Sequence, residues 1–144
     1  MFSKTCEYGI KATLFIAKKA QMEERVSLSD IATAINSPVA FTAKILQLLV
    51  KADILDSIKG PRGGFEIDKD RLSSITLKQI VLAIDGDQLF SGCALGLTAC
   101  DDSKPCPLHD KFVIIRDALN DTLENSNLLD VALELNKGLT VLKR

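Results

Sequence analysis

Residues 37–67 read SPVAFTAKILQLLVKADILDSIKGPRGGFEI, and the change of period inside this stretch decides the fold. The first half repeats apolar side chains at Phe41, Ile45, Leu48, Leu49 and Ala52. That spacing predicts a helix with one buried face and leaves Ala40, Ala43, Lys44, Gln47 and Lys51 outside. Ser37 then Pro38 predicts its start, with Ser as N-cap and Pro as the first helical residue. The second half abandons the helical period. Residues 54–58 and 65–67 are short runs rich in Ile, Leu and Phe, separated by Lys59, Gly60, Pro61, Arg62, Gly63 and Gly64. Glycine and proline between two such runs predict a hairpin, here with a basic tip.

Upstream, Ser27 and Asp30 stand at capping spacing, and Leu28, Ile31, Ala32 and Ile35 repeat helically as far as Asn36. A short helix therefore precedes the one just described, with only a tight turn between them. Residues 4–20 place Tyr8, Ile10, Ala12, Leu14 and Phe15 at helical intervals, and the polar run Met22–Arg25 ends that first helix. Two helices joined by a tight turn and followed by a basic hairpin are the parts of a winged helix-turn-helix, whose second helix enters the DNA major groove. Thr42, Lys44 and Gln47 are then candidates to face base edges, and Lys59, Arg62 and Gly63 to approach the phosphate backbone.

Downstream, Thr76 with Gln79 predicts a capping box before Leu77, Ile80, Val81 and Ile84, and Asp85-Gly86 closes that helix. Residues 87–109 hold no sustained period. A stretch of that length needs something to organise it. A long helix is predicted from Asp110 to about Asn125, with Phe112, Ile115, Leu119, Thr122 and Leu123 on one face and Val113 and Ile114 widening it. Asn127 and Asp130 restart a last helix to Asn136, before Gly138.

Composition narrows the function classes. The 144 residues carry a net charge of −1, which excludes a simple polybasic nucleic-acid binder. The charge is uneven, however: residues 1–71 hold 11 Lys and Arg against 9 Asp and Glu, and residues 72–144 hold 7 against 10. No apolar run approaches the roughly 18 residues of a membrane span, and MFSKTCEYGIKA lacks a signal-peptide pattern, so a cytoplasmic protein without a membrane partner is expected. In a reducing compartment cysteines serve metal or redox chemistry rather than disulfides. No C-x-x-C, no Ser-His-Asp set and no phosphate-binding glycine loop ahead of a helix is present, so no enzyme is expected.

Cys93, Cys100 and Cys106 are spaced C-x6-C-x5-C inside the aperiodic stretch, with Gly92, Gly96, Pro105 and Pro107 nearby. Thiolates are the normal protein ligands of iron-sulfur clusters. Three thiolates with His109 also satisfy a tetrahedral zinc site, although the short C-x2-C turns usual in zinc knuckles are absent. A metal-free thiol switch is the third alternative. Cys6 stands apart on the first helix and reads as a small buried hydrophobe.

Residues 54–67 resemble the wing of the iron-sulfur cluster regulator family of winged-helix transcription factors, IscR-like and NsrR-like. Gly60, Pro61, Gly63, Gly64 and Phe65 match its G-P-x-G-G-aromatic core, and the order of elements is similar over essentially the whole chain. The resemblance implies a fold that is mostly α with a small β-hairpin wing. It divides into a winged helix-turn-helix DNA-binding domain (1–86), a cysteine-bearing cluster loop (87–109), and a long C-terminal dimerisation helix with a last helix (110–144). It further implies a homodimeric, redox-sensing transcriptional regulator, such as a repressor, that binds a palindromic double-stranded DNA operator. Its cofactor is an iron-sulfur cluster, 2Fe-2S ahead of 4Fe-4S, sensing redox, nitric oxide or iron-sulfur status.

The implied ligands are Cys93, Cys100 and Cys106, with His109 as the fourth and, as the alternative fourth, Glu7 of the first helix, reaching across the dimer. The family commonly separates its first two cysteines by five residues rather than six. Its acidic operator-selecting residue is replaced here by Ala43, so its operator sequence does not carry over. The alternative function is a cluster-free winged-helix regulator of the same family, responding through cysteine oxidation or a partner enzyme.

Overall fold

Ser3 opens helix α1 (Lys4–Ala20) by accepting the Cys6 amide, and Ala12, Ile16, Ala17 and Ala20 line the side that becomes the centre of the core. Small side chains along one face let other helices approach closely. At Gly9 an added Cβ would overlap the Ile84 side chain, so the missing side chain lets a later helix close on α1. A computed structural model describes residues 1–144, with the remaining elements arranged around this helix.

Helix α2 (Leu28–Ile35) begins where the Ser27 hydroxyl accepts the Asp30 amide and ends at Asn36 in the left-handed region, φ 53°. Helix α3 (Val39–Lys51) then leaves at 108° to α2, within the range of a helix-turn-helix.

Two details of α3 correct the expectation. Ser37 is not its N-cap: its hydroxyl is buried and accepts from no α3 amide, and its own amide closes α2 through the Ala32 carbonyl at 3.0 Å. Pro38 occupies the cap position with ψ 137°, an extended value, and helical geometry starts at Val39. The buried series is also rotated: Thr42, Ile45, Leu46 and Leu49 point inward, Phe41 is half-buried against Tyr8, and Leu48 and Ala52 are exposed.

Strands β1 (Asp56–Ile58) and β2 (Gly64–Glu66) form the antiparallel hairpin, with Ser57 opposite Phe65. It is shorter than its apolar runs, because Ile54, Leu55 and Ile67 are fully withdrawn into the core as anchors. Val26 forms a further bridge to Phe65, with reciprocal amide bonds of 3.0 and 2.8 Å. Arg25 alongside donates to Glu66 at 3.0 Å and to the Arg62 carbonyl at 2.9 Å.

Helix α4 (Leu77–Asp85) carries the complete Thr76–Gln79 capping box. A single turn, α5 (Gln88–Ser91), lies at the head of the stretch in which no period was expected. Helix α6 (His109–Glu124) packs against α4 and α5, yet of its residues only His109 and Leu123 are buried. Helix α7 (Leu128–Asn136) returns to α1, and its Leu128, Ala132 and Leu135 complete the main core. The α6–α7 junction is tied to the start of α4 by a Thr76–Asn127 bridge, with Leu77 donating to Ser126 and Leu128 to Ile75, both at 2.9 Å.

Candidate nucleic-acid interface and cysteine site

The exposed side of α3 and the inner side of the hairpin enclose a cleft of about 750 Å3. Ala43, Lys44, Gln47 and Lys51 line it from the helix, and Ser57 and Phe65 from the wing. Lys44 and Gln47 are exposed, as are Lys59 and Arg62 at the wing tip. Leu48, which the helical period assigned to the core, forms part of the cleft wall instead.

Thr42 departs from the expectation. It is fully buried and its hydroxyl donates to the Pro38 carbonyl at 2.9 Å, so it stabilises the first turn of α3 and has no free edge for a base. Gly63 is half-buried, and a Cβ there would overlap the Ile58 and Gly60 carbonyls. Its lack of a side chain is required by the turn itself. Gly64 has φ 149°, and its Cβ would meet the Val26 carbonyl. Arg25, which clamps the wing, is the residue that sequence reasoning missed, because it lies in a polar run that looked like a helix end.

The second site lies in the loop between α5 and α6. Cys93, Cys100 and Cys106 are all half-buried with free thiols. The Cys93 thiol is held below its ordinary pKa by the backbone amides of Leu97 and Leu95. Burial opposes this, while the Cys106 side chain and the Gly96 amide add to it. Amides converging on one sulfur stabilise its thiolate, the form that binds metal. Cys100 Sγ lies 3.3 Å from His109 Nδ1. His109 itself is 9% exposed at the first position of α6, its amide bonded to the Cys106 carbonyl at 3.0 Å.

Of the four predicted ligands the structure brings Cys100 and His109 into contact, with Cys93 and Cys106 in the same loop. They do not converge as a cage about one point. Glu7 is engaged elsewhere within the chain: its carboxylate pairs with Lys4 at 2.8 Å, which holds its pKa below the usual range. Cys6 is fully buried, as expected of a small core residue, and packs with Val81 and Leu123.

A helix pair at 108°, a two-stranded basic wing and a cleft between them define a winged helix-turn-helix DNA-binding protein. The chain matches, over residues 2–134, the model of the Rrf2 family, described as "Iron-dependent Transcriptional regulator", and it belongs to that family. Among its relatives, an HTH-type transcriptional regulator of Aquifex aeolicus is 27% identical, the match covering 91% of this chain and 90% of that one. The regulator IscR of Photorhabdus laumondii is 26% identical over 87% of this chain and 80% of its own.

Among solved structures, CymR, the global cysteine regulator of B. subtilis, superposes with a TM-score of 0.73 at 25% identity, covering 92% of this chain and 95% of its own. IscR of T. potens superposes at 0.74 with 17% identity, covering 98% and 92%, which bears on the fold alone. These relatives are transcriptional regulators rather than enzymes, and DNA is the partner that such an activity requires. No single helix is long and apolar enough to cross a membrane.

Proposed function

We propose that the chain is a homodimeric transcriptional regulator whose operator affinity is set by an iron-sulfur cluster bound at Cys93, Cys100, Cys106 and His109. The observation that carries this reading is the gathering of the four donors in one loop, with Cys100 against His109. A single zinc ion needs four ligands around one point, whereas a 2Fe-2S cluster takes two ligands on each of two irons. Three thiols and one imidazole supply that number and kind of donor. The Leu97 and Leu95 amides, which hold the Cys93 thiol below its ordinary pKa, favour the thiolate that such a cluster needs. When bound, the group supplies a redox-active centre whose loss or oxidation changes the charge and ligation of the loop. The residues of the chain hold it, partly shield it from water and connect it directly to the first turn of α6.

Helix α6 supports the dimer. Phe112, Ile114 and Ile115 are 40%, 70% and 57% exposed, an apolar face of the kind that helices bury against a second copy. On the other side, Lys44 and Gln47 are directed to base edges in the major groove, and Lys59 and Arg62 to phosphates or the minor groove. Two copies related by a twofold axis then read a palindromic operator.

The test is anaerobic purification with visible absorption and iron and sulfide analysis, repeated with Cys93, Cys100 and Cys106 individually changed to alanine. Wild type is expected to be coloured with matched iron and sulfide, and each variant to lose colour. Colourless wild type from iron-replete cells that also resists reconstitution overturns the reading. The likeness to the B. subtilis cysteine regulator supports a second reading, a cluster-free regulator acting through thiol oxidation or a partner enzyme. A partner-enzyme mechanism predicts that the three alanine variants bind DNA as wild type does.

A further inference from the structure

The His109 ring is held from both sides. Nδ1 faces Cys100 Sγ at 3.3 Å, and Nε2 meets the Asp102 carboxylate at 2.8 Å. The neighbouring Asp101 takes no part in this. It accepts both the amide (2.8 Å) and the hydroxyl (2.6 Å) of Ser103, which fixes the turn and leaves Asp102 to reach back to the ring. Asp102 is 95% exposed while His109 is 9% exposed, so the carboxylate meets a largely buried imidazole from the solvent side.

We infer that Asp102 is a positioning residue for the cysteine site: it holds the proton of the neutral His109 ring on Nε2, so that Nδ1 is the nitrogen presented to a metal. A carboxylate only accepts hydrogen bonds, so the nitrogen that meets it carries the hydrogen. The other nitrogen then has its lone pair free, and it faces Cys100. An outer carboxylate on a ligating histidine fixes the tautomer and ring orientation and raises ligand basicity. The metal-binding half of this inference rests on the proposed cluster. The tautomer does not.

The chain contains one histidine, so 15N-histidine labelling reports on this ring alone. In metal-free protein, long-range proton-nitrogen correlation spectra are expected to show the Nε2–H form in wild type and a mixture in Asp102→Asn, with Asp102→Glu restoring the wild-type pattern. In anaerobically reconstituted protein, ring-selective 15N hyperfine spectroscopy of the reduced cluster should give the strong coupling at Nδ1. Asp102→Asn should retain the visible spectrum, move the reduction potential to a more positive value, and weaken iron retention against a chelator by roughly 10–100-fold.

A wild-type Nδ1–H tautomer, a strong coupling at Nε2, or an Asp102→Asn protein with unchanged tautomer and potential overturns the positioning role while leaving the cluster in place. A wild type that binds no iron or sulfide overturns the cluster reading and the choice of metal-facing nitrogen with it. The metal-free spectra then still decide whether Asp102 sets the tautomer.

Discussion

Cys6 and Cys93 carry the same side chain in opposite surroundings. Burial beside Val81 and Leu123, with the Asp85 carboxylate next to it, pushes the Cys6 thiol up to about 12. Backbone amides pull Cys93 the other way. Since the thiolate is the nucleophile, iodoacetamide at about pH 8 should label Cys93 first in cluster-free protein and leave Cys6 unlabelled until the chain unfolds. Peptide mass spectrometry over a time course checks this, and equal rates at the two positions contradict it.

The raised value at Cys6 also has a sign for stability. The folded state keeps its proton where the unfolded chain, near 9, has lost it. The associated stability is therefore complete below about pH 9 and declines as pH rises towards 12. In denaturant unfolding, wild type should lose stability relative to Cys6→Ala across that window. A pH-independent difference between the two proteins is the contrary result.

At the level of elements, the wing and α6 make the sharpest demands. Gly64→Ala places a side chain at φ 149° against the Val26 carbonyl, which should cost about 1–3 kcal/mol in thermal or denaturant unfolding and weaken DNA binding with it. Arg25→Ala leaves the core intact but removes the bonds to Glu66 and the Arg62 carbonyl. It should lower operator affinity with little change in helical content by circular dichroism. On α6, Ile114→Glu and Ile115→Glu should shift sedimentation from dimer to monomer, and a stable wild-type-like dimer refutes the assignment of that face.

Which of these elements were legible depended on how local their cause is. The caps at Ser27, Thr76 and Asn127 act within a turn of chain, so their spacing alone announces them, whereas of the apolar series read for α1 only Ala12 and Leu14 are buried and Ile16, Ala17 and Ala20 were missed. The inward face of α3 was misread. Thr42 satisfies its hydroxyl on its own helix and enters the core, while Leu48 is drawn to the wing cleft, and both outcomes depend on distant partners. The cysteines and the histidine of the loop were legible in the sequence, whereas the contacts of His109 with Cys100 and Asp102 were not, because they arise from the folding of an aperiodic loop.

For the whole molecule, a net charge of −1 coexists with basic residues gathered around one cleft and wing. Binding should therefore be salt-sensitive through local contacts rather than overall charge. Lys59→Ala and Arg62→Ala should each flatten the log affinity against log salt plot by about 0.9 for every phosphate that the side chain neutralises. An unchanged slope would place those side chains away from the phosphates. On the proposed cluster reading, apo and cluster-loaded protein should differ in operator affinity by roughly 5 to 150-fold, the usual range of coupling between two sites.

The junction of α6 and α7 adds a mechanical consequence. The end of α6 near Ser126 is stapled to the head of α4 by the bonds at Leu77 and Leu128, while its beginning at His109 is attached to the cysteine loop. A 16-residue helix is about 24 Å long, so it acts as a lever between the staple and the loop, with α4 and α5 packed along it. A displacement of about 1 Å at His109 turns the lever by about 2–3°. In the proposed dimer, with two such levers face to face, that rotation would be shared between the copies and would change the separation of their two α3 helices.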